Sequence, residues 1–144
     1  MANTGPDDGE DAPPRTMHIR FGHGNEERIE ETMRALDRGE TPDAYFERVY
    51  RDEDDLHRVT RPKNLELLRT LARERPESIR ETARLVDRDV RQVHRNLEEL
   101  EELSLVEFEA DGRSKQPGVW YDEIAVELPL NSGDETDANE TTEV

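Results

Sequence analysis

Arg91, Gln92 and Arg95 stand at i, i+1 and i+4, a spacing that gathers them on one broad side of a helix. Their chemistry fits the edges of nucleic-acid bases. An arginine guanidinium can donate two parallel hydrogen bonds to guanine, and a glutamine amide can pair bidentately with adenine. Asn96 lies at the rim of the same face, and Arg88 lies just before it, in reach of a phosphate. A second group, Gly112-Arg113-Ser114-Lys115-Gln116, reads as the tip of a hairpin. Arg113 and Lys115 are the only bases after Arg95, so Arg113, Ser114 and Lys115 form a second candidate group, the alternative being an ordinary polar hairpin turn. The competing arrangement is a solvated face in which Arg91 and Arg95 pair with Glu98 and Glu99 along the helix.

Other chemistry finds little support. The four histidines, His18, His23, His57 and His94, fall in different expected elements, and cysteine is absent. No metal site, cofactor or disulfide framework is therefore expected. No metalloprotease, nucleophile-elbow or phosphate-loop motif occurs, and Gly22-His23-Gly24 lacks the downstream Lys-Ser/Thr of a phosphate cradle. An enzyme is not expected. Asp89, beside the candidate face, suits an N-cap better than a base contact.

The elements that must position these residues follow from periodicity. Met17, Ile19 and Phe21 alternate as in a strand. Asn25 can cap a helix with Ile29, Met33 and Leu36 on one face, closed by Gly39. Residues 44–51 read as a strand, and a short helix through Leu56 and Val59 follows. From Thr60 the pattern is denser. Leu65, Leu68, Leu71 and Ala72 make a helical apolar face that ends at Pro76. Ser78 and Glu81 form a capping box for a second helix. Asp89 opens a third, with Val90, Val93, Leu97, Leu100 and Leu103 inward. Residues 105–108, a turn at Asp111-Gly112 and a returning strand from Val119 to about Leu128 complete the pattern.

Three short helices followed by a hairpin is the winged helix-turn-helix order. The expected class is α+β: a three-helix core with a β-hairpin wing over 60–130, and a β-α-β extension at 17–59 for dimer or partner contacts. Residues 1–16 and 131–144 read as disordered acidic tails.

The stretch SIRETARLVDRDVRQVHRNLEELEELSLVEFE resembles the helix-turn-helix of MarR-like and ArsR-like regulators, with Leu97, Leu100, Leu103, Leu105 and Val106 as its Leu-rich signature. The wider chain is similar to haloarchaeal and bacterial winged helix-turn-helix DNA-binding proteins, through Met17–Phe21, Thr60–Lys63 and Tyr121–Ile124. The resemblance implies a transcriptional regulator, a homodimer on double-stranded DNA. Arg91, Gln92 and Arg95 would read bases in the major groove, and the wing would hold the flanking backbone. Ser104 stands where these regulators place glycine, which predicts a local difference at the helix end. An antitoxin-type or adaptor protein, binding a toxin or the transcription machinery through the winged helix and the acidic surface, is the alternative.

Charge bears on both readings. The 144 residues carry 37 acids and 20 bases, a formal net charge of −17. Only Lys63 and Lys115 are lysines. Acid-rich, lysine-poor composition suits a salt-accumulating halophile and predicts an archaeal source. Residues 57–97 hold eleven bases and six acids, net +5, which leaves nine bases and 31 acids elsewhere, net −22. The positive segment coincides with the expected DNA-binding helices. No apolar run long enough to span a membrane and no signal-peptide pattern occurs, so a cytoplasmic location is expected.

Overall fold

The computed structural model describes residues 14–112 and 114–131. The chain runs β1 (Thr16–Phe21), α1 (Glu26–Asp37), β2 (Phe46–Tyr50), α2 (Glu53–Thr60), α3 (Pro62–Glu74), α4 (Ile79–Val86), α5 (Val90–Glu102), β3 (Glu107–Asp111), β4 (Ser114–Gly118) and β5 (Glu123–Glu127). Among the described residues it is a mixed α/β fold with five helices, a three-stranded parallel sheet in the order β2-β1-β5, and an antiparallel β3-β4 hairpin. No helix among the described residues is long and apolar enough to cross a membrane.

The alternation in β1 decides the layering. Met17, Ile19 and Phe21 are buried, while His18 and Arg20 turn to the other face and meet Glu127 of β5. The buried side joins the helical core of Val59, Leu67, Leu68, Leu71, Val93, Leu97 and Leu100. Two tyrosines fix the sheet to the end of α5. The Tyr50 hydroxyl donates to the Leu103 carbonyl at 2.7 Å, and the Tyr121 hydroxyl donates to the Leu105 carbonyl at 2.6 Å.

Local signals account for the helix ends. Asn25 Oδ1 accepts from the Arg28 amide at 3.0 Å and caps α1. Glu47 Oε1 accepts from the Asn25 amide at 3.1 Å and the Tyr45 hydroxyl at 3.0 Å. A Cβ on Gly24 would lie 2.0 Å from the other Glu47 oxygen, so a side chain there would push that carboxylate aside. Ser78 Oγ accepts from the Glu81 amide, as the capping box requires, but the Glu81 carboxylate takes the Glu77 amide in return.

Two expectations need correction. The strand returning from β3 is Ser114–Gly118, not the stretch from Val119 to Leu128. Asp111 opposes Ser114, so the hairpin closes tightly, with Gly112 at φ +66° in its turn. Residues 123–127 instead pair in parallel with β1, Met17 opposite Ile124 and Ile19 opposite Val126. The polar sequence Ser-Lys-Gln-Pro-Gly lacks strand character, whereas Ile124 and Val126 carry it, and this misdirected the assignment. The expected difference at Ser104 also fails to appear. Ser104 takes φ +67°, and the Leu105 amide closes onto the Leu100 carbonyl at 2.9 Å, the closure glycine would make.

Serine carries a Cβ into that left-handed conformation at some cost. Ser104→Gly should therefore raise unfolding stability in urea by about 0.5–1 kcal/mol, the gain being reduced by glycine's greater freedom when unfolded. A lower stability would show that the serine hydroxyl contributes more than its backbone conformation costs.

Candidate nucleic-acid interface

The segment from α4 through α5 is built around a tight turn. Asp87 ends α4 in the left-handed region at φ +57°, and the Arg88 amide donates back to the Ala83 carbonyl at 3.0 Å. Asp89 then caps α5, accepting from the Arg91 and Gln92 amides at 3.0 and 3.3 Å. That is the capping role its position predicts. Val93, Leu97 and Leu100 are fully buried, and this fixes which side of α5 faces out.

Arg91 and Arg95 lie on that outer side, both exposed. Neither makes an ion pair or a side-chain hydrogen bond among the described residues. The competing intrahelical pairing is not what α5 adopts. Glu99 Oε2 accepts from Arg58 Nε at 2.9 Å, and its Oε1 accepts from Arg61 Nη1 at 2.9 Å and Asn64 Nδ2 at 3.0 Å. Arg58 also reaches Glu102 at 3.0 Å and Asp55 at 3.2 Å. Glu98 faces His94 at 3.6 Å. Glu99 and Glu102 are thus drawn to partners on α2 and the start of α3, Glu98 faces His94 within α5, and the two arginines of its N-terminal half remain open.

Burial alone would push the Glu99 carboxyl up. The hydrogen bonds from Asn64 and Arg58 and the charge of Arg61 outweigh it and hold the group below the usual glutamate value of 4.5. The same contacts, led by the Glu99 hydrogen bond, hold Arg58 above its ordinary value.

Arg88 differs from the expectation that it reaches a phosphate. Its side chain is only 12% exposed, with Nη2 donating to the Lys63 carbonyl at 3.1 Å and lying 3.4 Å from Glu66. Nη1 faces Gln92 at 3.5 Å and Asn96 at 3.4 Å, so these three residues form one polar cluster between α3 and α5. Gln92 and Asn96 are half-buried beside the open arginines.

The hairpin residues stand apart from this cluster. Ser114 and Lys115 are exposed on β4, and the Lys115 ammonium lies 5.6 Å from the Phe108 ring centre. Gln116 is tied down, donating to the Pro76 carbonyl at 3.2 Å, and β4 packs on α3 and α4. Arg113 lies outside the described residues. Arg80 and Arg84 are also exposed on α4, bases that the sequence reading counted only in the charge of the segment. No cluster of three or more candidate metal ligands occurs among the described residues.

A family model, HVO_A0114, matches residues 59–126, from the end of α2 into β5. It covers the whole of the Glu99 cluster except Arg58 and Asp55, together with α3, α4, α5 and the hairpin. Its description names no activity. No curated protein matches the chain.

Glu99 binds its proton more weakly when folded than when unfolded. Its contribution to stability is therefore present above the ordinary glutamate value and is lost as pH falls through the lower, folded value. Glu99→Gln should cost about 1.5–3 kcal/mol at pH 7. It should also flatten the decline of stability that wild type shows below about pH 4.5, measured by urea denaturation across pH. Parallel pH profiles for the two proteins would show that Glu99 does not bind the cluster together.

Proposed function

We propose that the chain is a sequence-specific DNA-binding transcriptional regulator of the winged helix-turn-helix class, acting as a homodimer on double-stranded DNA. In this reading α3, α4 and α5 are the three-helix core, α5 enters the major groove, and β3-β4 is the wing on the flanking backbone. Arg91 and Arg95 read bases. Gln92 and Asn96 border them, with Arg88 fixing both from behind. Ser114 and Lys115, together with Arg113, contact phosphates.

The observation that carries the reading is the division of charge along α5. Cations near a helix N-terminus oppose the macrodipole. Arg91 and Arg95 nevertheless sit there exposed and unpaired among the described residues, while Glu99 and Glu102 are bound by Arg58 and Arg61. Folding alone gives those two arginines nothing to do. A polyanion that accepts hydrogen bonds would complete them.

Arg91→Ala with Arg95→Ala should abolish preference for the native site over unrelated DNA, each lost base contact contributing about 1–3 kcal/mol. Lys115→Ala should weaken all sequences alike and reduce the salt slope of binding by about one unit. Titration of labelled duplexes over a salt series measures both. A folded Arg91/Arg95 double variant with unchanged site preference would overturn the assignment of α5.

A further inference from the structure

Helix α1 is turned inside out for a crossover helix. Its only buried residue is Ala35, while Ile29, Met33 and Leu36 are 43%, 59% and 55% exposed. The half-buried residues beside Ala35 are polar: Arg28, whose guanidinium lies 4.7 Å from the Tyr45 ring centre, and Thr32. A twelve-residue helix is marginal without tertiary packing, and its apolar stripe is the face left uncovered. The chain's own tails do not suit it. Residues 1–13 and 132–144 carry no base and, after Met1, no aliphatic larger than alanine until the terminal Val144.

We infer that a second copy of the chain packs on this stripe, with the two α1 helices antiparallel about a two-fold axis. The charges favour that direction. Glu30 and Arg34 lie one turn apart on the same flank of the stripe and are not paired with each other within the chain. An axis centred between Ile29 and Leu36 brings residue 30 of one helix level with residue 35 of the other. Each Glu30 then stands within about 1.5 Å, along the axis, of the other copy's Arg34. A parallel pair would turn this flank toward the partner's opposite flank, where Arg28 and Thr32 lie, and would leave Glu30 and Arg34 apart. On the same flank Glu26 and Asp37 approach in like-charge pairs, which salt screens. The helix is only about 18 Å long, so the contact is small and the dimer modest in affinity.

This deepens the homodimer part of the proposed function, but it stands or falls separately from DNA recognition. Sedimentation equilibrium of the full chain at 0.2 M and 2 M KCl, without DNA, tests it. Wild type should dimerise, more tightly at the higher salt, the reverse of the salt dependence of phosphate contacts. Met33→Glu should weaken the dimer at least tenfold with helicity retained, and Leu130→Glu, on a 92% exposed residue outside the stripe, should not. Arg34→Glu should weaken it, and Glu30→Arg combined with Arg34→Glu should restore it. A monomeric wild type, or a dimer indifferent to Met33→Glu, overturns the inference. So does failure of the charge exchange to restore pairing. A dimer that obeys all these variants yet shows no DNA preference would leave the inference standing and remove the DNA reading.

Discussion

A half-buried carboxylate, Glu99, organises the half of the molecule that carries the candidate interface. Arg58 from α2, Arg61 at the start of α3 and Asn64 within α3 all donate to it, across 35 to 41 residues of chain. Leu97 and Leu100 set which face of α5 is inward, but apolar contacts alone are not directional. The Glu99 cluster adds direction and fixes the C-terminal half of α5 to two other helices. Tyr50 and Tyr121 brace the same end through the carbonyls of Leu103 and Leu105. The opposite end, with Arg91 and Arg95, is held by its cap, by the buried Val93 side and by Arg88, which links Gln92 and Asn96 to Lys63 and Glu66 on α3. It therefore projects open cations from a rigid base.

The proposed function has to reconcile a net charge of −17 with a polyanionic partner. Glu99 is bound inside the fold by Arg58, Arg61 and Asn64, so that carboxylate does not occupy Arg91 or Arg95. In molar salt, charge interactions fade within a few Å. Recognition there depends on short hydrogen bonds and fit, and little on the overall field. Two arginines held in place on a buried helix suit that regime better than a diffuse basic patch.

The helices α3 to α5 were legible because their signals are local: the Ser78 and Asp89 caps, and leucines at helical spacing along α5. The turn at Gly112 was legible for the same reason. What lay beyond reach was long-range. Nothing within residues 123–127 says that their partner is β1, more than a hundred residues earlier, and Pro117-Gly118 disguises β4 as loop. Periodicity showed that α1 is amphipathic without showing that its apolar side faces outward. Arg88 and Glu99 were recognised as charged residues near the candidate face, but their partners on α2 and α3 carry no mark in the sequence. Sequence reading thus found the open arginines and missed the cluster that keeps them open.

The central claim is that this acidic chain selects particular DNA sites through α5. Genome-wide footprinting of the native protein at its working salt tests it most directly. Discrete, reproducible protected sites sharing a common sequence are the predicted result. Uniform or absent protection at that salt, from protein shown to be folded, would contradict the account.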